Sequence, residues 1–493
     1  MNRITRSLII IFISVLTLLD LTGQESRKLS FDEVLTLATS QSPRAIMARH
    51  QFRSSYWEFR SFKAGNMPFL SMNATIPDLN RSFEKIPAEE GDIFVERKQL
   101  TSMAALTLSQ NIPLTGGRVS VNTDLQRIDQ LNAGGSTTYL STPVDIVFNQ
   151  PINGYNSMKW QKLIQPLKYE EAKKVYLSAM ENVSARAVGY FFDLALAQKN
   201  VEIAVLNFAN ADTLYKIAEG RYQLGTIAEN ELLQMQLSYL KANTELNSSI
   251  IDQNVKKFQL NSFLGLKQEL DIELIIPTSI PHVEIELSKA LEEAKRNNPD
   301  ALGFKRQLFE ADQRVAQARS EKGINASLYA RLGLSQKSTT MEGAYMDPND
   351  LERVRIGLSI PIMDWGMGRG RYKMAQSSQE LTITNVRQAE LDFEQEVLLQ
   401  VMQFNLQDDQ LRIAAKADTI GRNRYEVTKQ RFLIGRISVL DLKDAIQEKD
   451  LATRAYVAAM KNYWAYFFNL RSLTLYDWTT GKTLSEEFDA LVK

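Results

Sequence analysis

The distribution of proline is the feature that most restricts what this chain can fold into. The sequence has 13 prolines, yet none lies between residues 167 and 276 or between 362 and 493. A proline inside a helix costs roughly 3 kcal/mol, so long helices are expected in these two windows. Gly220 and Gly225 lie near the middle of the first window, and Gly435 lies near that of the second. The windows predict two helical hairpins that turn at these glycines, with arms that approach about 50 residues.

Both windows also carry apolar side chains at the three- and four-residue spacing of coiled coils. In the first window this seam consists of Leu177, Met180, Ser184, Ala187, Phe191, Leu194, Gln198 and Val201. In the second window it consists of Val397, Val401, Phe404, Leu411 and Ala415, interrupted by Asp408. Four further apolar residues are predicted to widen the buried stripe, namely Val188, Phe192, Leu399 and Met402. Each long helix is therefore expected to pack against more than one neighbour.

Outside these windows the apolar period changes to that of a strand. Apolar and polar residues alternate over four segments, at 104–109, 119–126, 328–335 and 353–360. Segments of this kind suit two structures, a half-buried sheet of a soluble protein or the strands of a transmembrane barrel. The alternation by itself leaves both alternatives open.

The N-terminus has the pattern of an export signal. Arg3 and Arg6 precede an apolar run from Leu8 to Leu19, and the pattern ends near Gly23. We expect residues 1–23 to be a cleaved signal peptide, because the run is too short for a confident membrane-spanning helix. The alternative is an ordinary apolar N-terminal helix. No later run reaches the roughly 18 to 20 apolar residues that a spanning helix needs, so we expect such a chain to cross a membrane only with strands.

Short motifs in the first half recur in the same order in the second half. The motif at 42–45, Ser-Pro-x-Ala, has its counterpart at 298–301, an offset of 256 residues. The later motifs at 150–152 and 221–225 recur at an offset of only 210 residues. The first half therefore holds additional sequence between these motifs, which we interpret as an extra strand hairpin at about 100–145.

The duplication predicts two repeats, each made of a first helix, strands and a long helical hairpin. We assign the first repeat to residues 24–280, with its helical hairpin at 155–265. The second repeat covers 281–493, with two strands, a helical hairpin at 366–472 and a C-terminal segment at 473–493. A single chain this thin cannot bury both faces of such helices, so we expect an oligomer.

The composition excludes several kinds of function. The chain has no cysteine, and its only histidines are His50 and His282. This leaves no thiolate nucleophile and almost no material for a multi-histidine metal site or a Ser-His-Asp machine. The 58 basic and 58 acidic side chains balance, which argues against a nucleic-acid binder. We find no catalytic constellation and predict neither an enzyme nor a bound cofactor or metal.

With these motifs the sequence resembles the TolC-like outer-membrane efflux channel family, over essentially all of the predicted mature chain. The resemblance rests on the helix motifs at 42–45 and 298–301 and on the strand-to-helix junctions at 149–152 and 359–366. It rests most strongly on the paired hairpin tips. The residues that we assign to the tips and junctions are Arg221, Tyr222, Gly225, Glu231, Arg431, Phe432, Gly435, Arg436, Pro151, Pro361 and Gly366.

The resemblance implies an α+β membrane protein that forms a homotrimer in the outer membrane of a Gram-negative bacterium. Strands from three chains would close a β-barrel in contact with outer-membrane lipid, and long antiparallel helical hairpins would form an α-barrel through the periplasm. The segment 473–493 would contribute to an equatorial region. Family members are passive, gated exit ducts for small molecules or proteins. They receive these from an inner-membrane RND or ABC pump through a periplasmic adaptor, in tripartite efflux or type I secretion.

The resemblance further implies an acidic gate at the periplasmic end of the tunnel. By alignment of the tip motif the acidic positions are Asp441 and Asp444, whose i, i+3 spacing places both on one helix face. Threefold symmetry would collect six carboxylates around the axis and attract cations. Asp441 also has a structural alternative, because the residues from Ser438 to Asp441 form a capping-box pattern, as do Thr226 to Glu229.

Family members also hold the closed tip with a tyrosine and an arginine that bond to an acid on the neighbouring hairpin. Here Phe432 occupies the tyrosine position and Ile437 the arginine position, whereas the acid is retained as Glu231. Arg436 lies next to the arginine position and is a candidate substitute. Because two of the three latch groups differ, closure is expected to rely on packing.

The alternative function is a periplasmic coiled-coil scaffold or adaptor without pore activity. Adaptors usually have one helical hairpin between split β domains. The two predicted hairpins and the duplicated strand block favour the channel instead.

Overall fold

The computed structural model describes residues 27–88, 91–131, 134–267, 271–277, 280–434, 436–437 and 439–492. The predicted signal peptide lies outside these ranges. The described residues form two compact units. Unit 1 consists of those within 1–51, 174–298 and 394–491, and unit 2 consists of those within 52–173 and 299–393, together with residue 492.

The α-helices of the described ranges form two matching series. The first series is α1 (Phe31–Gln41), α2 (Pro43–Gly65), α3 (Ser157–Gln223) and α4 (Glu229–Leu264). The second series is α5 (Leu287–Asn297), α6 (Pro299–Lys322), α7 (Met367–Leu433) and α8 (Val439–Thr474). Their lengths are 11, 23, 67 and 36 residues in the first series and 11, 24, 67 and 36 in the second. This correspondence supports the two repeats that the sequence motifs predict.

The two helical hairpins are α3–α4 and α7–α8, but their arms are unequal. The long arm of each has 67 residues and the short arm 36, instead of about 50 for both. The prediction of equal arms was wrong partly because α3 begins at Ser157 and continues through Pro166. Neighbours such as the buried Ile164 are held by packing, so the single hydrogen bond lost at a proline does not end the helix.

Unit 2 contains a six-stranded antiparallel sheet with the order β2-β3-β4-β5-β7-β8, whereas unit 1 contains two short strand pairs. The strands of the large sheet are β2 (Phe69–Ala88), β3 (Gly91–Ile112), β4 (Gly117–Gln130), β5 (Thr137–Pro151), β7 (Asn325–Ser338) and β8 (Asn349–Ser359). The short strands are β1 (Arg27–Ser30), β6 (Ile272–Ile275), β9 (Tyr476–Asp477) and β10 (Lys482–Thr483). Four strands of the large sheet therefore come from the first half of the chain and two from the second.

The register of the large sheet collects its apolar side chains on one face, which we call the apolar face. One row across five strands consists of Leu70, Leu108, Val121, Ile146 and Leu332. These five side chains remain 38% to 64% exposed. The opposite, polar face carries residues such as Asn122 and Arg331. The alternation predicted for the segments in β3, β4, β7 and β8 is thus confirmed, and the apolar face is uncovered in the single chain.

Strand β2 was not predicted from the sequence. Pro77 lies inside it and Pro87 near its end, and its pairing with β3 shifts between Thr75 and Asp78. An edge strand tolerates proline, because one row of its backbone groups has no partner in the sheet. The proline that obscured the pattern is therefore compatible with the outermost position of β2.

The core of unit 1 contains the predicted helical seams. Ala187, Phe191 and Leu194 of α3 are fully buried, as are Val397 and Phe404 of α7. These five seam residues therefore lie on the buried sides of α3 and α7.

Two residues that were predicted to widen the buried stripe of α7 are not buried. Leu399 is 47% exposed and Met402 is 61% exposed. Both lie on a face of α7 that no other part of the described chain covers.

In unit 2, Arg306 ties α6 to the first part of α3. Its Nε and Nη2 donate to the two carboxylate oxygens of Glu171 at 2.6 and 3.0 Å, and its Nη1 donates to Glu310 at 2.9 Å. The hydrogen bonds to Glu171 and Glu310 raise the pKa of Arg306. The Arg306 and Glu171 side chains are each only 20% exposed, so this bidentate pair is partly shielded from water.

We expect Arg306→Gln to lower the free energy of unfolding by about 1–3 kcal/mol, because the Glu171 carboxylate loses its bidentate partner in a partly buried site. Thermal unfolding followed by circular dichroism at 222 nm measures this. Arg314→Gln is the matched control, since Arg314 is exposed on the same helix and should change stability by no more than about 0.5 kcal/mol. Equal effects of the two substitutions would contradict the assignment.

Candidate functional site: hairpin tips, junctions and uncovered faces

The tip of the first helical hairpin is a tight turn at Gly225. Gly225 has φ = +68°, a left-handed conformation that favours glycine. Its N–H donates to the carbonyl of Tyr222 at 2.8 Å, and the N–H of Thr226 donates to the carbonyl of Arg221 at 2.9 Å. These bonds satisfy carbonyls that the end of α3 would otherwise leave unpaired.

The predicted capping role of Thr226 was wrong. The residue that precedes α4 is Ala228, which makes no side-chain cap, while the Thr226 hydroxyl donates to the carbonyl of Arg221 at 2.8 Å. Thr226 therefore closes the end of α3 rather than beginning α4. Both roles use a short polar side chain next to a helix end, so the local sequence pattern does not separate them.

The second tip repeats the backbone bond of the first. The N–H of Arg436 donates to the carbonyl of Arg431 at 3.0 Å, which corresponds to the bond from Thr226 to Arg221. Gly435 and Ser438, which were assigned to the turn and to the predicted cap, lie outside the described residues. One backbone bond that closes the first tip therefore recurs at the end of α7.

The two candidate gate acids lie just beyond the second tip. Asp441 is in the first turn of α8, and Asp444 follows three residues later. Both are exposed, whereas Leu442 and Ala445 on the other side of the helix are buried. The structure therefore brings the two carboxylates onto one exposed face of α8.

The candidate latch residues are on different hairpins. Glu231 is exposed in the first turn of α4, where an acidic side chain favours the helix N-terminus. Phe432 and Ile437 are half-buried at the second tip, and Arg436 is exposed there. In the described part of the chain, Glu231 and Arg436 do not form an ion pair with each other.

A series of polar side chains, which we call the polar ladder, joins the two helical hairpins within unit 1. It runs between α3 and α8, which are antiparallel, and each of its pairs is a hydrogen bond or an ion pair. We call each pair a rung, and the rung nearest the tips joins Asn207 to the buried Asp450. The pairs are Glu181–Arg471 (3.1 Å), Asp193–Lys461 (2.5 Å), Asn200–Arg454 (2.9 Å) and Asn207–Asp450 (3.0 Å).

The two arms of the second hairpin are also joined to each other. The Thr453 hydroxyl of α8 donates to the buried Asp418 of α7 at 2.6 Å. Close by, the helices approach so tightly that a Cβ added to Gly421 would lie 3.3 Å from the Cα of Lys449. In this region α8 is therefore held on two sides, by α7 and by the polar ladder to α3.

The remaining faces of α4 and α7 carry exposed apolar residues at intervals of mostly three, four or seven positions. We call these the α4 stripe and the α7 stripe. The α4 stripe consists of Leu233, Leu237, Leu240, Ile251, Val255 and Phe258. The α7 stripe consists of Leu399, Met402, Leu406, Ile413, Ile420 and Val427. Such spacing is typical of helices that pack against another helix.

Each strand-to-helix junction in unit 2 contains a capping side chain that the sequence reasoning did not assign. Gly366 has φ = +87°, and the Asp364 carboxylate accepts from the N–H groups of Gly366 and Gly368 at 2.9 and 2.8 Å. At the other junction the Asn156 amide oxygen accepts from the N–H of Lys159 at 3.0 Å. An Asp or Asn just before a long helix was the available signal for both caps.

The two junction prolines lie next to these caps. Pro151 is the last residue of β5 and pairs with Ser327 of β7, and Pro361 follows the end of β8. Proline has no backbone N–H to donate to a neighbouring strand, so it is tolerated at the end of a strand. Both prolines therefore lie where strand pairing ends.

The polar face of the large sheet has a buried acid that was also missed. Asp145 is 1% exposed, accepts from the Asn122 amide at 2.6 Å and forms an ion pair with Arg331. Gly333 lies against it, and a Cβ there would be 2.5 Å from the Asp145 Cβ. The acid inside the otherwise apolar stretch Val144 to Phe148 was the signal for this cluster.

No helix within the described ranges is both long enough and apolar enough to span a lipid bilayer.

Comparison with known proteins gives a match to a family model over part of the chain and a shared fold. The family model for outer membrane efflux proteins matches residues 290–474. No curated protein matches the sequence significantly. The match covers the second helix series from α5 to the end of α8, including the second tip.

Solved structures with a similar fold include three bacterial membrane proteins. The Campylobacter jejuni CmeC outer membrane channel is 16% identical, with a TM-score of 0.66 over 93% of this chain and 88% of that one. The outer membrane protein VceC from Vibrio cholerae is 14% identical, with a TM-score of 0.62 over 90% and 95%. A membrane protein from Pseudomonas aeruginosa is 13% identical, with a TM-score of 0.63 over 93% and 92%. At these identities the likeness shows a shared fold.

Two glycines near the first tip should respond oppositely to alanine. We expect Gly225→Ala to destabilise the tip by about 1–2 kcal/mol, because its left-handed φ strains any residue with a Cβ. Gly220→Ala should instead stabilise the end of α3 by about 0.5–1 kcal/mol, since nothing lies within 4 Å of the added Cβ. Hydrogen exchange of peptides from this tip measures both effects. Effects of the same sign would contradict the turn geometry.

The cap at Asp364 should make the start of α7 sensitive to acid. Its pKa is lowered because the N–H groups of Gly368 and Gly366 stabilise the carboxylate. A lowered folded-state pKa contributes stability above the unfolded value of about 4, and this is lost as pH falls through the folded value. We expect amide protection at the start of α7 to fall as the pH is lowered below about 4 in the wild type but not in Asp364→Asn.

Hydrogen exchange corrected for intrinsic rates measures this difference. The start of α3 is an internal control, because its cap Asn156 does not titrate. An equal loss of protection at both helix starts would contradict the role of Asp364.

Proposed function

We propose that the chain is a member of the outer membrane efflux protein family, whose model matches residues 290–474, and that it is the outer-membrane channel of a tripartite efflux system. The observation that carries this function is the family match over α5 to α8, in a chain whose fold is shared with solved outer-membrane channels. The channel is a passive, gated exit duct. Its described residues support this role in three regions, the sheet, the outer helices and the tips.

The apolar face supports insertion of the sheet into the outer membrane. Its side chains lie in rows that cross the strands and stay exposed, and residues such as Val354, Ile356 and Leu358 continue it onto β8. An uncovered apolar surface of this extent is stable only against lipid or another apolar surface. The polar face, with the Asp145–Arg331 pair, then lines the water-filled interior.

The α4 and α7 stripes support assembly into a homotrimer, the state in which channels of this family work. The polar ladder joins α3 to α8 inside one chain, so α4 and α7 are the outer helices of the four. Their apolar stripes are therefore the surfaces left for neighbouring copies. Pairing α7 of one copy with α4 of the next covers both stripes and repeats around a ring.

The partners of the trimer are a periplasmic adaptor and an inner-membrane pump of the RND or ABC class. A duct of this kind needs no catalytic group, because the pump supplies the energy. The tips carry a mixed set of exposed charges, Arg221, Glu231, Arg431 and Arg436, which are available to an adaptor. Cargo then passes from the pump through the tunnel and across the outer membrane.

Asp441 and Asp444 form the gate of the tunnel. Three copies around an axis would bring six carboxylates together, and their mutual repulsion favours bound cations. The last rung of the polar ladder, Asn207–Asp450, lies six residues beyond Asp444 in α8. The segment that carries the gate acids therefore lies on the tip side of the last rung of the polar ladder.

Membrane fractionation followed by planar-bilayer recording tests the proposed function. The full chain should be found in the outer-membrane fraction and should open pores after purification as a trimer. A periplasmic scaffold or adaptor would remain outside the membrane fraction and conduct no current. That result would refute the channel.

Neutralising the gate acids should change ion selectivity. We expect Asp441→Asn with Asp444→Asn to lower the cation-to-anion permeability ratio by at least about twofold, since the six carboxylates are removed. Reversal potentials in asymmetric salt measure the ratio. Asp252→Asn is the control, because this acid is exposed on α4. Unchanged selectivity in the double variant would refute the gate assignment.

A further inference from the structure

The large sheet ends in two strands that have a partner on only one side. Its order is β2-β3-β4-β5-β7-β8, so β2 and β8 each present one row of backbone N–H and C=O groups without a sheet partner. In a bilayer each unpaired backbone group costs several kcal/mol, because no water is present to bond with it. A sheet placed in the membrane must therefore close its edges.

The four strands from the first half of the chain, β2 to β5, form one continuous part of the large sheet. β3 pairs with β4 from Gln99–Gln130 to Ile112–Gly117, and β4 pairs with β5 along nearly all of its length. The apolar face also passes without interruption from Leu70 on β2 to Leu108 on β3. The first-half strands are thus wall strands, and none of them is a separate plug.

The strand directions determine how two copies can meet. Every pairing in the large sheet is antiparallel, so across its six strands β8 runs opposite to β2. When copies are related by rotation about an axis normal to the membrane, β8 of one copy and β2 of the next are antiparallel neighbours. The same contact then repeats at every boundary and leaves no edge.

We propose that β8 of each copy pairs with β2 of the next, so that three copies of the six-stranded sheet close one barrel of 18 strands. This proposal rests on the trimeric channel inferred above and adds the identity of the contact and the strand number. Barrel diameter grows roughly linearly with strand number, and 16- to 18-stranded porins leave an aqueous channel. A barrel of 18 strands is therefore wide enough for an aqueous channel.

Cysteine crosslinking tests the contact directly, because the natural chain has no cysteine. Arg355→Cys on the polar face of β8 is combined in turn with single substitutions on the polar face of β2. The β2 substitutions are Ser71→Cys, Asn73→Cys, Thr75→Cys and Asn80→Cys. Matched controls combine Arg355→Cys with Ser120→Cys or Asn122→Cys, which lie on the same face of the internal strand β4.

Mild oxidation of outer membranes should give covalent dimers and trimers in at least one β2 combination and in neither β4 control. Reducing agent should return these species to monomers. Links from β8 to β4 would show that a narrower wall forms without β2 and β3, and they would overturn the proposal. Absence of links at every position would overturn it as well.

Two further measurements separate failure of this contact from failure of the proposed function. If β8 links to β4 while the protein remains a conducting trimer, only the 18-stranded closure is wrong. If the protein is monomeric and does not conduct, the channel itself is wrong. A cryo-EM map of the unsubstituted protein in lipid nanodiscs counts the strands independently of any cysteine, and 12 strands would refute the closure.

Discussion

The pairing requirement of backbone groups is the constraint on which the rest of this structure depends. In the proposed channel the apolar face of the sheet lies against lipid, where the backbone has no solvent to bond with. The single chain satisfies this requirement inside the sheet but not at β2 and β8. In the proposed trimer the chain is a unit of assembly, which accounts for its exposed apolar surface.

The helices of unit 1 meet a similar constraint with side chains. Polar pairs between α3 and α8 fix which two helices are neighbours within one chain, because a displaced partner would leave buried groups such as Asp450 without a hydrogen bond. The apolar stripes of α4 and α7 lack such directional contacts, but burying their apolar surface is favourable in proportion to its area. The division fits the proposed trimer, in which directional contacts set the arrangement inside each chain and apolar contacts join the chains.

This division explains what the sequence could predict and what it could not. Periodicity indicated the hairpins and the alternating strands correctly, because burial and strand pairing impose those periods locally. The same periodicity placed Leu399 and Met402 in the core of the chain, although both are exposed, since a sequence period does not say whether its partner is in the same chain. The proline in β2 hid an edge strand, and the proline in α3 hid the start of a helix.

The candidate site shows a related limit at the level of single residues. The first tip turn followed from Gly225, because a left-handed φ has few alternatives to glycine. The cap at Asp364 and the buried Asp145 depend on which backbone or strand lies opposite, and no local pattern contains that information. The gate role of Asp441 and Asp444 depends on a symmetry axis outside the chain, so it follows from neither the sequence nor a single copy.

The unequal strand blocks of the two halves show how the duplicated plan accommodated a change. The matching helices have nearly identical lengths, while the strand blocks contain four strands and two. Two strands added as a hairpin leave the direction of the following strand unchanged. The C-terminal end of β5 therefore still lies next to the start of α3. A single added strand would have reversed the direction of β5, and α3 would then begin at the opposite end of the strands. An even number of strands per chain also keeps β8 antiparallel to β2. An extra hairpin is therefore compatible with both the helix arrangement and the proposed pairing of β8 with β2 of the next copy.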